Sequence, residues 1–188
     1  YSNPDLNPEK ATNYELGIRH VFNDYLKLNL SLYWMELDNE IWYDPDKKQY
    51  KNYGKTSHKG IETGVEFKFT NAFSGFLNYS YARAKNESGE DKGRYLSNIP
   101  LHKGSLGMIL DTGYGLKANL NLTRVGSSYL DSSNSDKLPE YTTLDISFRY
   151  EYKRLSTYLS IDNLFDEKYN SYGYKKSTGV KYFSPAPG

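Results

Sequence analysis

The stretch Leu116–Val125 reads LKANLNLTRV. Leu116, Ala118, Leu120 and Leu122 take alternate positions, and Lys117, Asn119, Asn121 and Thr123 take the positions between them. Successive side chains of a strand point to opposite sides, so the stretch has one apolar wall and one polar wall. Most of the chain repeats this pattern. The fold depends on what the apolar wall meets, a protein core or lipid.

Working outward, a strand over residues 103–110 precedes it, joined through a short Gly-rich turn at 111–115. After it comes a Ser/Asp-rich loop at 126–140, flexible in composition. Residues 141–152 then set Leu144, Ile146, Phe148 and Tyr150 against Asp145, Ser147, Arg149 and Glu151. The turn Lys153-Arg154 leads into a strand over 155–165, and everything from 166 onward reads as loop. Upstream, residues 57–70 and 74–84 alternate around a tight turn at 71–73. Residues 12–22 and 26–37 do so around 23–25, where turn formers cluster. Polar loops are expected at 1–11, 38–56 and 85–102.

This gives about eight strands whose connections alternate strictly between short and long. Short turns fall near 24, 72, 113 and 153, and long segments near 47, 94, 133 and 172. All short turns therefore share one end of the sheet. Outer-membrane barrels sort their connections in this way, whereas a Greek-key sandwich has no reason to. Strands of about ten residues suit a tilted crossing of the hydrocarbon. The polar wall carries Glu15, Arg19, Lys27, Glu62, Glu66, Lys68, Asp145, Arg149, Glu151 and Asp162. A dry core would not tolerate so many charges, but a hydrated or plugged lumen does. The expected fold is all-β, an antiparallel up-and-down transmembrane barrel.

Composition narrows the function. Lys+Arg of 24 against Asp+Glu of 23 in 188 residues leaves +1, which argues against nucleic-acid binding. No apolar run approaches the roughly 20 residues a spanning helix needs, a limit that does not touch barrels. The 20 tyrosines suit the aromatic girdles of a membrane barrel, and equally a Tyr-rich soluble sheet. With no cysteine, disulfides, thiolate metal sites and Cys nucleophiles are excluded. The chain starts at Tyr1 without Met or a signal-peptide pattern and reads as a mature or excised piece.

Three segments carry a family resemblance. Residues 3–17, NPDLNPEKATNYELG, resemble the segment of TonB-dependent outer-membrane receptors that leads from an extracellular loop into a late barrel strand. Residues 161–169, IDNLFDEKY, resemble that family's penultimate strand, and Pro185-Ala186-Pro187-Gly188 resembles the stretch before its final strand. The resemblance covers essentially the whole chain. It implies an outer-membrane location and a barrel of about 22 strands occluded by a plug, of which residues 1–188 are a C-terminal portion. On that reading the plug, the TonB box and the final strand lie outside the chain. Energised import of a scarce nutrient is implied, most often a ferric siderophore. Haem, cobalamin or another ligand is the alternative substrate. No covalent chemistry and no cofactor are expected. The implied partners are lipid, the rest of the barrel, the ligand and, through the plug, the TonB complex.

The motifs themselves read as structural. Pro4 and Pro8 make the approach extended, and Asn163 and Asp166 are placed to bond backbone at a strand end. The candidate ligand contacts are Trp42, Tyr43, Tyr50, Tyr53, Arg94 and Tyr95, because Tyr and Trp give rigid contact area and Arg complements an anionic chelate. Girdle or loop packing is the competing role for each. His20, His58 and His102 lack ligand spacing, so no metal site is expected. No nucleophile elbow, phosphate loop or EF-hand loop is present. Two other classes remain in view: a self-contained eight-stranded membrane barrel acting as adhesin or scaffold, and a soluble Tyr-rich ligand-binding β-protein.

Overall fold

The computed structural model describes residues 3–52 and 54–186. Among these residues fourteen strands run in chain order. They are β1 (Lys10–Asn23), β2 (Leu26–Asp38), β3 (Ile41–Asp44), β4 (Gln49–Asn52), β5 (Lys55–Lys68), β6 (Phe73–Asn86) and β7 (His102–Asp111). They continue with β8 (Leu116–Val125), β9 (Ser128–Tyr129), β10 (Lys137–Leu138), β11 (Tyr141–Tyr152), β12 (Leu155–Ile161), β13 (Asn170–Lys175) and β14 (Lys181–Pro185). Eight of them form one antiparallel sheet in the order β1-β2-β5-β6-β7-β8-β11-β12, with no crossovers. The other six pair as small hairpins, β3–β4, β9–β10 and β13–β14.

The register turns alternation into walls. His20, Leu28, Val65, Leu77, Leu106, Leu122 and Leu144 form one continuous row. Leu26, Phe67, Gly75, Met108, Leu120, Ile146 and Ile161 form the next row on that face. The opposite face carries the row Arg19, Asn29, Gly64, Asn78, Ser105, Thr123 and Thr143. Aromatic residues flank the apolar band: Tyr14, Trp34, Tyr79 and Tyr81 toward the long loops, and Phe73, Phe148, Tyr150 and Tyr152 toward the short turns. Leu16, Ile18 and Leu77 stay exposed at 63%, 55% and 47% on this face, as a lipid-facing band requires. The few buried apolar side chains among the described residues are Ala84, Leu96, Leu130 and Leu138, and the last three lie under the loops.

Short polar side chains close the turns. Asn23 Oδ1 accepts the Tyr25 N–H at 2.8 Å, Thr70 Oγ1 accepts the Phe73 N–H at 3.0 Å, and Asp111 Oδ1 accepts the Gly113 N–H at 3.0 Å. Gly115 has φ +91°, and a Cβ there would lie 2.1 Å from the Glu151 carbonyl oxygen, so only glycine fits this turn.

Several expectations are corrected. Strand β12 ends at Ile161 rather than 165, because Asn163 and Asp166 turn left-handed at φ 49° and 50°. The Asn163 side chain spans that turn, donating to the Glu167 carbonyl at 3.1 Å and accepting its N–H at 3.0 Å. Segments expected as loop carry the three small hairpins, including all of β13–β14. Residues 126–140 are held by β9–β10 pairing and side-chain bonds rather than left flexible. One expectation stands: β1 and β12 do not pair with each other, so the sheet is open, as a section of a larger barrel requires.

Candidate functional site

The short turns leave the other end of the sheet to the long connections, which fold together into a cap. The segment bearing the first receptor-like motif docks on hairpin β3–β4. The Asn3 amide donates to the Tyr50 carbonyl at 2.9 Å, the Asn7 N–H to Asn52 Oδ1 at 2.9 Å, and the Ile41 N–H to Glu9 Oε1 at 2.5 Å. These bonds give the motif the structural role its sequence suggests. Within the hairpin, Asp44 accepts the N–H groups of Asp46 and Lys47 at 2.9 and 3.1 Å and pairs with Lys51 at 2.9 Å. Burial pushes the Asp44 carboxyl up, but the Lys51 ammonium and these backbone donors outweigh it and hold it below its ordinary value.

The loop between β8 and β11 folds around Asp131, whose carboxylate accepts Ser133 Oγ at 2.8 Å, the Ser135 N–H at 2.9 Å and Ser135 Oγ at 2.5 Å. Burial raises this carboxyl, and the serine bonds hold it low. Asn134 then locks the loop to its neighbour, accepting the Tyr95 N–H at 2.7 Å and donating to the Tyr95 carbonyl at 2.8 Å. Hairpin β13–β14 is clamped over this loop by charge. Lys175 Nζ lies 2.6 Å from Asp136 Oδ2 and 3.7 Å from Asp131, and Lys181 Nζ lies 2.5 Å from Asp136 Oδ1. The two ammonium groups hold the Asp136 carboxyl at about 2. The hairpin also donates the Gly173 N–H to Asn98 Oδ1 at 3.2 Å and the Ser177 N–H to Asp46 Oδ2 at 3.1 Å.

These contacts enclose a cleft of about 570 Å³ between the loops. Its lining sets the rings of Trp42, Tyr43, Tyr172 and Tyr174 among both charges, Lys51, Lys175 and Lys176 with the carboxylates of Glu40, Asp44, Asp46, Asp91 and Asp131. Burial and then the neighbouring phenols of Tyr174, Tyr43 and Tyr50 push the Tyr172 hydroxyl pKa up. At the cleft's lower rim Thr56 Oγ1 donates to Glu40 at 2.5 Å, and His58 Nε2 lies 3.4 Å from the same carboxylate oxygen. Burial raises the Glu40 carboxyl, and the His58 and Thr56 bonds outweigh it and bring it below its ordinary value. A second hollow, about 610 Å³, lies on the polar wall over Gly17 and Gly64 between Arg19, Glu62 and Lys103. It has the makings of a wall surface rather than a ligand pocket, since its floor is backbone and short side chains.

Of the sequence candidates, Trp42 and Tyr43 line the loop cleft. Tyr50 packs edge-on to Tyr43 with ring centroids 5.5 Å apart. Arg94 is committed to Asp91 at 2.5 Å, and Tyr95 stacks on Tyr129 at 5.8 Å; neither lines the cleft, although Asp91 does. Tyr53 lies outside the described residues. The sequence reading missed Tyr172, Tyr174, Lys175 and Lys176, because everything after 166 read as loop. The alternation of Tyr172 and Tyr174, the turn at Ser177-Thr178-Gly179, and then Tyr182 marked a hairpin there. Among the described residues no three metal-ligating side chains converge, and His20, His58 and His102 instead meet Phe22, Glu40 and Tyr79.

Comparison with known proteins supplies the family. A model described as "TonB dependent receptor-like, beta-barrel" matches residues 1–164. The pesticin receptor of Yersinia pestis is 31% identical over 179 residues, covering 92% of this chain and 27% of that protein. The metal-pseudopaline receptor of Pseudomonas aeruginosa is 28% identical over 182 residues, covering 90% of this chain and 25% of that one. Among solved structures, the ferric yersiniabactin uptake receptor of Yersinia pestis superposes with a TM-score of 0.79 at 26% identity, over 95% of this chain and 28% of its own. The siderophore receptor of Acinetobacter baumannii shares the fold, with a TM-score of 0.78 at 23% identity over 97% and 28% of the two chains. The chain thus spans about a quarter of the length of the curated relatives it matches. With its outward apolar band, polar inner wall and sorted connections, the chain belongs to the TonB-dependent receptor β-barrel family of the bacterial outer membrane.

Proposed function

We propose that the chain is the C-terminal portion of a TonB-dependent transporter barrel that imports a scarce nutrient, with a ferric siderophore or similar iron complex as cargo. In this reading the whole barrel has about 22 strands and holds a plug, and the TonB complex drives uptake through that plug. The sheet contributes wall, and the loop cap contributes ligand contacts. The observation that carries the reading is the cleft between the loops, where Trp42, Tyr43, Tyr172 and Tyr174 stand beside Lys51, Lys175 and Lys176. Flat rings suit the aromatic or planar parts of a chelator, and because Lys51 and Lys175 are paired with Asp44 and Asp136 the rings rather than net charge carry the fit. The names of similar proteins point the same way, among them a ferrichrome transporter of Escherichia coli 27% identical over 183 residues.

The test uses the full-length receptor in an iron-starved strain lacking its other receptors. Growth on a panel of ferric siderophores identifies the cargo. Trp42→Ala with Tyr172→Ala then weakens its binding about tenfold or more if both rings contact it. Growth that is indifferent to the receptor across ferric siderophores, but dependent on it with haem or cobalamin, overturns the siderophore reading.

A further inference from the structure

The outward wall is apolar through its middle rows and changes abruptly one row toward the loops. There the register aligns Tyr14, Trp34, Lys59 and Arg83 across four neighbouring strands. This row follows Leu16, Leu32, Ile61 and Tyr81, so it stands about 7 Å further along the strands, at two residues per step. Lys59 and Arg83 sit directly opposite each other on β5 and β6, and both are exposed. Two like charges in that position repel, because facing Cβ atoms of a strand pair stand only about 5 Å apart.

Neither cation is neutralised by the protein. Lys59 lies over the Trp34 ring, 4.5 Å from its centroid, and Arg83 has no hydrogen bond or ion pair among the described residues. The carboxylates nearest in register are engaged or displaced. Asp38 faces Lys55 at 3.8 Å, Glu87 accepts Ser57 Oγ, and Glu36 sits a full row away opposite Ser57. Lys85, the next outward residue on β6, adds a third cation above Arg83 and leans on the Tyr95 ring at 4.6 Å.

The level of the row decides the partner. Trp and Tyr belts mark the headgroup layer, so Lys59 and Arg83 stand beside lipid headgroups rather than acyl chains or bulk water. We infer that Lys59 and Arg83 form a binding site on the outer face of the barrel for the phosphate of an anionic lipid in the loop-side leaflet, with the Trp34 ring flanking the headgroup. A phosphate between the two strands converts their repulsion into two charge-assisted contacts, which arginine makes through a planar fork and lysine as a point charge. The site is independent of which ligand the loops import.

The test is lipid retention by the full-length receptor. It is purified in uncharged detergent and titrated with phosphatidylglycerol, with phosphatidylcholine in parallel, and bound lipids are counted by native mass spectrometry. Wild type is expected to hold phosphatidylglycerol in preference to phosphatidylcholine. That preference should fall about fivefold in Lys59→Ala or Arg83→Ala, roughly thirtyfold in the double variant, and little in Lys59→Arg. Lys27→Ala, on the polar wall, leaves it unchanged. Should the double variant not fold, wild type alone decides: raising salt must erode the preference for the anionic lipid. An undiminished preference in the double variant overturns the site. So does full competition by inorganic phosphate, which would make it a free-anion site, or variant-sensitive dimerisation without lipid, which would make it a contact between copies.

Discussion

The wall and the cap of this chain are built on opposite plans. The eight-stranded wall has backbone pairing in continuous register apart from one shift at Val21/Asn23, and its few buried side chains, such as Thr56, Ala84 and Asn86, sit at the loop end, because each of its faces is shaped for an environment outside the chain. The cap has little regular pairing, yet it holds Leu96, Leu130 and Leu138 and the network of Asp44, Asp131, Asn134 and Asp136. Polarity decides most positions of the wall, apart from glycines such as Gly60 and Gly75, where a Cβ would lie 2.5 and 2.4 Å from backbone oxygens. The cap depends on individual atoms.

The largest test of that contrast lies at the middle of the apolar band. Leu122→Arg should destabilise the full-length receptor by about 2–4 kcal/mol in urea unfolding from lipid vesicles, as expected for a cation at bilayer depth. Asn121→Arg, one residue away on the other wall, should cost far less. Equal costs would mean that the walls do not face different media.

A smaller loss is expected at the short turns, where the wall does depend on one residue. Gly115→Ala should cost about 1–3 kcal/mol in the same assay, from the left-handed φ and the contact with the Glu151 carbonyl. Gly113→Ala, with φ +75° but nothing within 4 Å, should cost less.

In the cap, Lys175→Ala should leave global unfolding close to wild type, since solvent screens such ion pairs, while loosening hairpin β13–β14. Faster amide exchange at residues 170–185, with the wall unchanged, is the expected reading. A cap as rigid as before would show that Asn98 and Asp46 suffice to hold the hairpin.

The smallest effect concerns pH. The carboxyl of Asp136 lies at about 2, below its ordinary 3.8. A depressed acid contributes stability that is fully present above the unfolded value and is lost as pH falls through the folded one. Spin labels on β10 and β14 should therefore hold one distance down to about pH 4 and separate between there and about pH 2. Separation near neutral pH would assign the clamp to another group.

Leu116–Val125 shows why the wall was legible: a period of two is a local property, and eight repeats of it with sorted turns leave one architecture. The outward row of His20, Leu28, Val65, Leu77, Leu106, Leu122 and Leu144 follows from that alternation once neighbouring strands pair. The cap was legible only in part. Trp42 and Tyr43 drew notice by residue type. Their neighbours Tyr172 and Lys175 reach them through contacts such as Ser177 with Asp46, 131 residues apart, which no local pattern encodes. Arg94 drew notice by type as well, but Asp91, three residues away, takes its charge.

The uncrossed order of the wall has a kinetic consequence. Each strand pairs with the one made just before it, and each closure spans only a turn or a single loop. The wall can therefore grow by one hairpin at a time, with low contact order and a modest entropic barrier at every step. The link between Asp46 and Ser177 closes only after all the strands between them are in place. The cap contacts between nearer residues, such as Asn3 with Tyr50, do not wait for it, so this link alone reports that the section of the barrel between its ends has been laid down.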